Sequence, residues 1–304
     1  WLKLGAFALT ETEPTYFRSM HGFYALVAYA ITHHARVSLA LNIPRLVHPE
    51  FEYAFFAHHK TGTALASQLE SMMAETLNIT HEEVGWNQVR DDDPPVGCIP
   101  NAVTLYVDMR APTLKRIIHQ CPSIRAVHMI RRPSSIVKSD YVFCKHFGES
   151  PQYDENAEYH LAEAQRLKNM SFAEGIKSKC KDFHDAYAPQ YLACHQLIQD
   201  KGLTNVIEVS LEDFEQSYDN TTRSIFEHFL GSGHPSIDTL VTKARRFDLN
   251  RMSYAKVDDT AHVSDDSEEH QVFLEMQTQL EMGDPCMLKL MQDDERMGYS
   301  QVLG

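Results

Sequence analysis

Positive charge is scarce in this chain: 28 lysines and arginines stand against 42 aspartates and glutamates, for a formal net charge of −14. A surface of that sign repels polyanions, which excludes nucleic acid and anionic lipid surfaces as partners chosen by bulk charge. A buried anion site is still allowed, because a few focused donors in a cleft hold phosphate whatever the sign of the outer surface. Closely spaced cysteines are also missing. Cys98, Cys121, Cys144, Cys180, Cys194 and Cys286 include no CxxC pair and no Cys/His cluster at zinc spacing, and they read as mostly free, buried thiols. There is no internal repeat, no low-complexity tract and no Gly/Ser linker, so the simplest organisation is one domain. Finally, no apolar run reaches the ~20 residues of a bilayer span. The stretch 21–41 comes nearest, but His33, His34 and Arg36 interrupt it, and it reads as a helix packed on the core within an N-terminal helical segment, 1–50.

What is present suits a globular α/β chain. Apolar residues make up 43% of the 304, enough for a full core. The run 51–57 reads as a buried strand, and Gly62 to Leu77 carries helical spacing at Leu65, Leu69, Met72 and Met73. Further strands are expected over 103–107, 124–130 and 205–209. Helices are expected over 113–119, from Pro133 onward, from about Asn156 to Asp200, and over 221–230 with Gly231 closing the last. Strands alternating with helices predict a central, mostly parallel sheet covered on both faces. The acidic stretch 258–269 is expected as a surface loop.

Two constellations carry chemistry. His59-Lys60-Thr61-Gly62-Thr63-Ala64 follows the first strand and opens a helix. Gly62 permits a tight turn, successive backbone amides and the helix N-terminus point at an anion, Thr61 and Thr63 add hydroxyls, and Lys60 adds a charge. The Walker pattern is absent, because no glycine stands five residues before Lys60, so an ordinary ATPase loop is disfavoured. Taken alone, the sequence also fits a plain strand-to-helix turn with a surface lysine. The second constellation is Arg131-Arg132-Pro133 at the end of a strand, with Ser139 eight residues after Arg131. An arginine at a strand's carboxyl end and a serine two turns into the next helix can converge on one phosphate. Alone, the same residues fit a solvated arginine pair and a water-facing serine.

In this order, about seventy residues apart, the two elements resemble the cofactor signatures of the sulfotransferase family: P-K-[ST]-G-T-[ST] for the 5′-phosphosulfate and R-x-P-x-x-x-x-x-S for the 3′-phosphate. The stretch 207–214 followed by 222–231 looks like that family's strand, turn and helix ending in F-L-G, and Met297-Gly298-Tyr299 looks like a common family ending. The resemblance spans 51–299 and implies a single P-loop-like α/β domain over 51–304. It also implies 3′-phosphoadenosine 5′-phosphosulfate as donor, adenosine 3′,5′-bisphosphate as product, and no metal. Lys60 would neutralise charge on the departing oxygen. Thr61, Gly62, Thr63 and Ala64 would hold the 5′-phosphate, and Arg131 and Ser139 the 3′-phosphate. Phe247 resembles the position that stacks on adenine, although a core aromatic fits it too. Two departures stand out: His59 replaces the usual proline, and Ala64 replaces a second hydroxyl residue. The glycine-rich basic C-terminal segment of the cytosolic steroid and phenol enzymes is not apparent.

A general base is needed for an acceptor hydroxyl. Asp108 is the first candidate, because it falls close to where cytosolic members of the family carry a catalytic histidine, and His59 is the second. His128, inside a strand, reads as a core histidine. Trp86 and Tyr106 are candidates for an acceptor pocket, or simply core. The acceptor implied is a small molecule or a glycan, with no nucleic acid and no membrane as partner, and the sequence sets no oligomeric state. The alternatives are a small-molecule kinase with a degenerate phosphate loop and a non-catalytic nucleotide-binding protein of the same fold. Three Asn-x-Ser/Thr sequons, at Asn78, Asn169 and Asn220, read as coincidence in a cytoplasmic protein. The alternative location is the Golgi lumen, with an anchor ahead of Trp1.

Overall fold

Tyr53–Ala57 (β1) is five consecutive buried residues, YAFFA, and this continuous burial sets the architecture. Its alternate side chains enter different cores: Tyr53, Phe55 and Ala57 face one way, Ala54 and Phe56 the other. A strand without a polar face must be covered on both sides, which is the condition of a parallel sheet between helical layers. The computed structural model describes residues 52–84, 98–147, 157–252 and 266–300, all within one unit, Leu46–Gly304. The expected helical segment 1–50, Trp86 and the stretch 150–156 lie outside the described residues.

The sheet has five strands: β1, Thr80–Val84 (β2), Ala102–Val107 (β3), Arg125–Ile130 (β4) and Val206–Ser210 (β5). Their spatial order is β2-β3-β1-β4-β5, and every pairing is parallel. β2 was not expected from the sequence. Its residues, THEEV, are exposed except Val84, as an edge strand paired on one side allows.

Helices Thr63–Leu77 (α1), Leu211–Leu230 (α7) and Ile237–Ala244 (α8) cover one face. Ala111–Gln120 (α2) and Ala188–Lys201 (α6) cover the other through Leu114, Ile117, Cys194 and Ile198. A third apolar cluster joins Pro133–His146 (α3) to Phe172–Asp182 (α5), Asp266–Glu281 (α9) and Pro285–Arg296 (α10). Ala157–Lys168 (α4) packs on α3 through Leu167. Pro133 stands at the first turn of α3, where its missing N–H leaves no helical bond unmade. Asp266 to Glu269 open α9, so this end of the acidic stretch is helical and not loop as expected. Among the described residues, no helix is long and apolar enough to cross a membrane.

The cysteines require a larger correction. Cys98 is bonded to Cys121 and Cys180 to Cys286, leaving only Cys144 and Cys194 as free, buried thiols. The partners lie 23 and 106 residues apart, and the fold brings their Cα atoms to 5.6 and 6.2 Å. Wide spacing in sequence had suggested thiols; the packing of α5 against α10 is what makes the second pair.

Candidate functional site

In a parallel sheet all strands end at the same edge, and a crevice opens there where successive connections leave in opposite directions. Here β1 lies between β3 and β4, so the chain leaves β1 toward one side of the sheet and β4 toward the other. The loop after β1 is His58 to Gly62, Asp108 follows β3 and Arg131 follows β4. The topology therefore delivers the candidate residues to one place.

The loop is held tightly. The amide of His58 donates to Thr61 Oγ1 at 2.8 Å, while the Thr61 amide and hydroxyl both donate to the His58 carbonyl, at 3.1 and 2.9 Å. Thr63 Oγ1 adds a third bond to the same carbonyl at 3.0 Å. Both threonine hydroxyls thus fix the turn in this structure. Gly62 caps α1 at φ 99°, and a Cβ there would meet Leu211 Cδ1 and Met129 Cε at 3.2 Å. Lys60 also has positive φ, 62°. The helix accepts its first bond at the Gly62 carbonyl, from Ala66, so the amides of Thr63, Ala64 and Leu65 lie in the turn that helix geometry leaves without intrahelical partners. Together with the helix dipole they present the kind of positive pole that suits an anion.

Arg131 reaches this loop from β4. Its Nη1 donates to the Lys60 carbonyl at 3.3 Å. Its backbone is pinned by Tyr191 of α6, whose hydroxyl accepts from the Arg131 amide at 2.9 Å and donates to its carbonyl at 2.6 Å. Arg132 donates through its amide to Glu212 Oε1 at 3.1 Å, and its guanidinium lies over Tyr299. The stretch around 207–214 and the closing Tyr299 therefore meet next to Arg131.

Around Lys60 and His59 is a group of residues that the sequence did not reveal. Asp140, beside Ser139 on α3, accepts from His59 Nε2 at 2.8 Å and from Lys179 Nζ of α5 at 2.7 Å. Burial opposes charge on Asp140, yet the His59 hydrogen bond and the nearby lysines hold its carboxyl well below the usual range. Lys179, buried too, is kept above the ordinary lysine value by Asp140. The Lys60 ammonium lies 3.1 Å from the centre of the Phe143 ring. Burial pushes its pKa down to about 8, with Asp140 opposing that shift. Tyr187 stacks on His59 at 4.9 Å, from a π-helical turn between α5 and α6. No local pattern marks Asp140 or Lys179; their convergence depends on α5 packing on α3.

Asp108 adopts φ 54°, donates its amide to the Ala57 carbonyl at 2.8 Å and accepts from the His59 amide through Oδ1 at 2.6 Å. Burial raises its pKa, against the neighbouring His59. Lys60, His59, Asp108 and Arg131 are thus brought together. Ser139 is buried on the same helix as Asp140. Phe247 makes its contacts on the α1, α7 and α8 side of the sheet, with Arg246 over its ring at 4.6 Å. Tyr106 is buried and donates to Glu52 Oε1 at 3.3 Å. The cavity it lines with Asp108 and Arg110, about 10 Å³, has room for a water and not for an acceptor. His128 is fully buried in β4 between His58, at 3.0 Å, and Glu208, at 2.7 Å.

Two groups of potential metal ligands occur among the described residues, Cys180 with His184 and Cys286, and Glu52 with Cys98 and Cys121. In both, the sulfurs are those of a disulfide, which is a poor donor set for a metal compared with thiolates.

No family model and no curated protein matches the chain. Among solved structures, mouse sulfotransferase SULT7A1 complexed with PAP is similar with a TM-score of 0.42 and 11% identity, over 67% of this chain and 67% of that one.

Proposed function

We propose that the protein is a sulfotransferase that moves a sulfuryl group from 3′-phosphoadenosine 5′-phosphosulfate to a hydroxyl or amine of a small-molecule or carbohydrate acceptor. The observation that carries this reading is the Arg131 guanidinium lying 3.3 Å from the Lys60 carbonyl, so that the two phosphate-type motifs form one site at the sheet's switch point. The donor supplies an activated sulfuryl group, whose in-line transfer is helped chiefly by positioning and by stabilising charge. The residues present suit a doubly phosphorylated nucleotide. A glycine that the backbone demands opens a turn of unpaired amides, with one cation from the loop and one from the next strand over.

In this reading the first-turn amides of α1, from Thr63 to Leu65, hold the 5′-phosphate. Lys60 places its ammonium against the charge that develops on the leaving oxygen. Arg131 and Ser139 hold the 3′-phosphate, which sets this nucleotide apart from ADP, and Phe247 is the proposed adenine contact. Asp108 is the proposed base: Oδ1 is held by the His59 amide, Oδ2 takes the acceptor proton, and its burial raises its basicity. His59 is the alternative base, although its ring is tied to Asp140. Asp140 positions His59 and Lys179 and is not offered to substrate, since one of its oxygens is occupied by His59 Nε2 and the other by the Lys179 ammonium. A magnesium-dependent kinase would need a pair of carboxylates near the loop; Asp140 is already committed to His59 and Lys179, which among the described residues leaves Asp108 without a second carboxylate to share a metal.

Thermal unfolding with adenosine 3′,5′-bisphosphate and with ADP, each with and without magnesium, tests the reading. Selective stabilisation by the bisphosphate, about 2.7 kcal/mol at 100 times its dissociation constant, is expected without metal. Equal response to both nucleotides, or a preference for magnesium-ADP, removes it.

A further inference from the structure

The disulfides and the sequons, unconnected in sequence, make one statement about where this chain folds. All three sequon asparagines are exposed: Asn78, Asn169 and Asn220. Asn78 ends α1 in the left-handed conformation, with φ 53°. Asn169 lies in the turn between α4 and α5, and its amide donates to the Arg166 carbonyl. Asn220 is on the outer side of α7, its side-chain amide donating to Ser217 Oγ. Each could carry a bulky hydrophilic group without displacing core. Asn78 is also well removed from the candidate site: the fifteen residues of α1 separate it from the loop at Gly62 by about 22 Å. It leads into β2 at the opposite edge of the sheet, where Thr80 pairs with Ala102.

Sulfur pairing supplies the independent observation. Reducing compartments keep thiols apart, whereas four of the six cysteines here are joined as Cys98–Cys121 and Cys180–Cys286. Oxidising compartments that make disulfides in eukaryotic cells are also those that glycosylate asparagine.

We propose that Asn78, Asn169 and Asn220 are N-glycosylation sites and that the chain folds in the lumen of a secretory pathway, in place of the cytoplasmic location expected from the sequence. In the modification, asparagine Nδ2 attacks C1 of an oligosaccharide carried on a lipid pyrophosphate. The Nδ2–C1 bond forms, the C1–O bond breaks, the lipid pyrophosphate leaves, and one amide proton passes to the transferase's base. Each bridge forms as two thiols give two electrons and two protons to a disulfide-bearing oxidoreductase. The proposal is independent of the donor nucleotide.

The test is made on protein isolated from the cells that express it. Amidase removal of N-glycans in ¹⁸O-water, followed by peptide mass spectrometry, is expected to mark Asn78, Asn169 and Asn220 as ¹⁸O-aspartate. Non-reducing digestion is expected to recover both cysteine pairs as linked peptides. Mobility on gels should shift in three steps under partial deglycosylation, one of which is lost in each of Asn78→Gln, Asn169→Gln and Asn220→Gln. The wild-type peptide result does not depend on any variant folding. Unmodified asparagine at two or more of the positions, or recovery of the four bridging cysteines as free thiols, overturns the proposal.

Discussion

In the proposed site, Lys60 carries the sharpest conflict between stability and the chemistry assigned to it. Burial lowers its pKa from 10.5 to about 8, so between those values the unfolded chain binds a proton that the folded chain does not. Its charge therefore opposes folding below about pH 8, and this opposition fades as pH rises toward 10.5. Lys60→Met should raise the unfolding temperature at pH 7, by the equivalent of roughly 1 kcal/mol once partial solvent access is discounted, while turnover falls at least about 100-fold. Differential scanning calorimetry beside a labelled-donor assay checks both, and a destabilised variant that keeps turnover would reverse the assignment. The same titration predicts that bisphosphate affinity weakens as pH rises through about 8, and that Lys60→Arg, charged throughout, flattens the profile in isothermal titration calorimetry. Asp108→Asn keeps an oxygen for the His59 amide, so nucleotide affinity should hold while kcat falls by about 10²–10⁴-fold; a loss of affinity with kcat intact would make Asp108 a loop support and not a base. That Lys60, Arg131 and Asp108 stand on loops at the strand ends was legible, because strand ends and a glycine turn mark those positions locally; the roles proposed for them came from the resemblance. Asp140 and Lys179 were not, since each looks like an ordinary helical charge until α3 and α5 pack together.

Helix α5 touches α3 through a contact that only glycine permits. A Cβ on Gly175 would stand 2.8 Å from Tyr141 Cε2, closer than side-chain packing allows without movement. Gly175→Ala should cost about 1–3 kcal/mol of stability. Lys179 follows one turn later, so displacing α5 should also loosen its 2.7 Å pair with Asp140 and weaken bisphosphate binding. Denaturant unfolding and calorimetric titration read the two effects, and an unchanged affinity would show that α5 positions nothing in the site. Legibility also sorted by element. β1, β3 and β4 were readable because burial on both faces leaves a mostly apolar, β-branched or aromatic run, as in YAFFA and AVTLYV. β2 was not, because THEEV presents a solvated edge with no apolar repeat. The start of α9 was hidden for a related reason: an acidic first turn favours a helix N-terminus as much as a loop.

At the scale of the whole molecule, strand alternation conveyed a parallel sheet, but the order β2-β3-β1-β4-β5 that places two loops side by side, and the cysteine pairing, exist only once the chain is folded. The two bridges should differ in what they protect. Cys98–Cys121 closes 23 residues and ties the end of α2 to the segment before β3. Cys180–Cys286 closes 106 residues and joins α5 to α10, both of which pack on α3. By loop-closure entropy the first contributes about 3.4 kcal/mol and the second about 4.8 kcal/mol. Cys180 is also fully buried and adjoins Lys179, so the second bridge holds the cation that pairs with Asp140. Replacing Cys180 and Cys286 with alanine should therefore lower the unfolding temperature more than replacing Cys98 and Cys121, and should also reduce bisphosphate affinity, which the Cys98/Cys121 pair of changes should leave intact. Paired measurements of thermal unfolding and nucleotide titration on the two double variants decide it. If both lost affinity equally, or if the shorter bridge mattered more to stability, the α5–α10 staple would not be what holds the cationic side of the site.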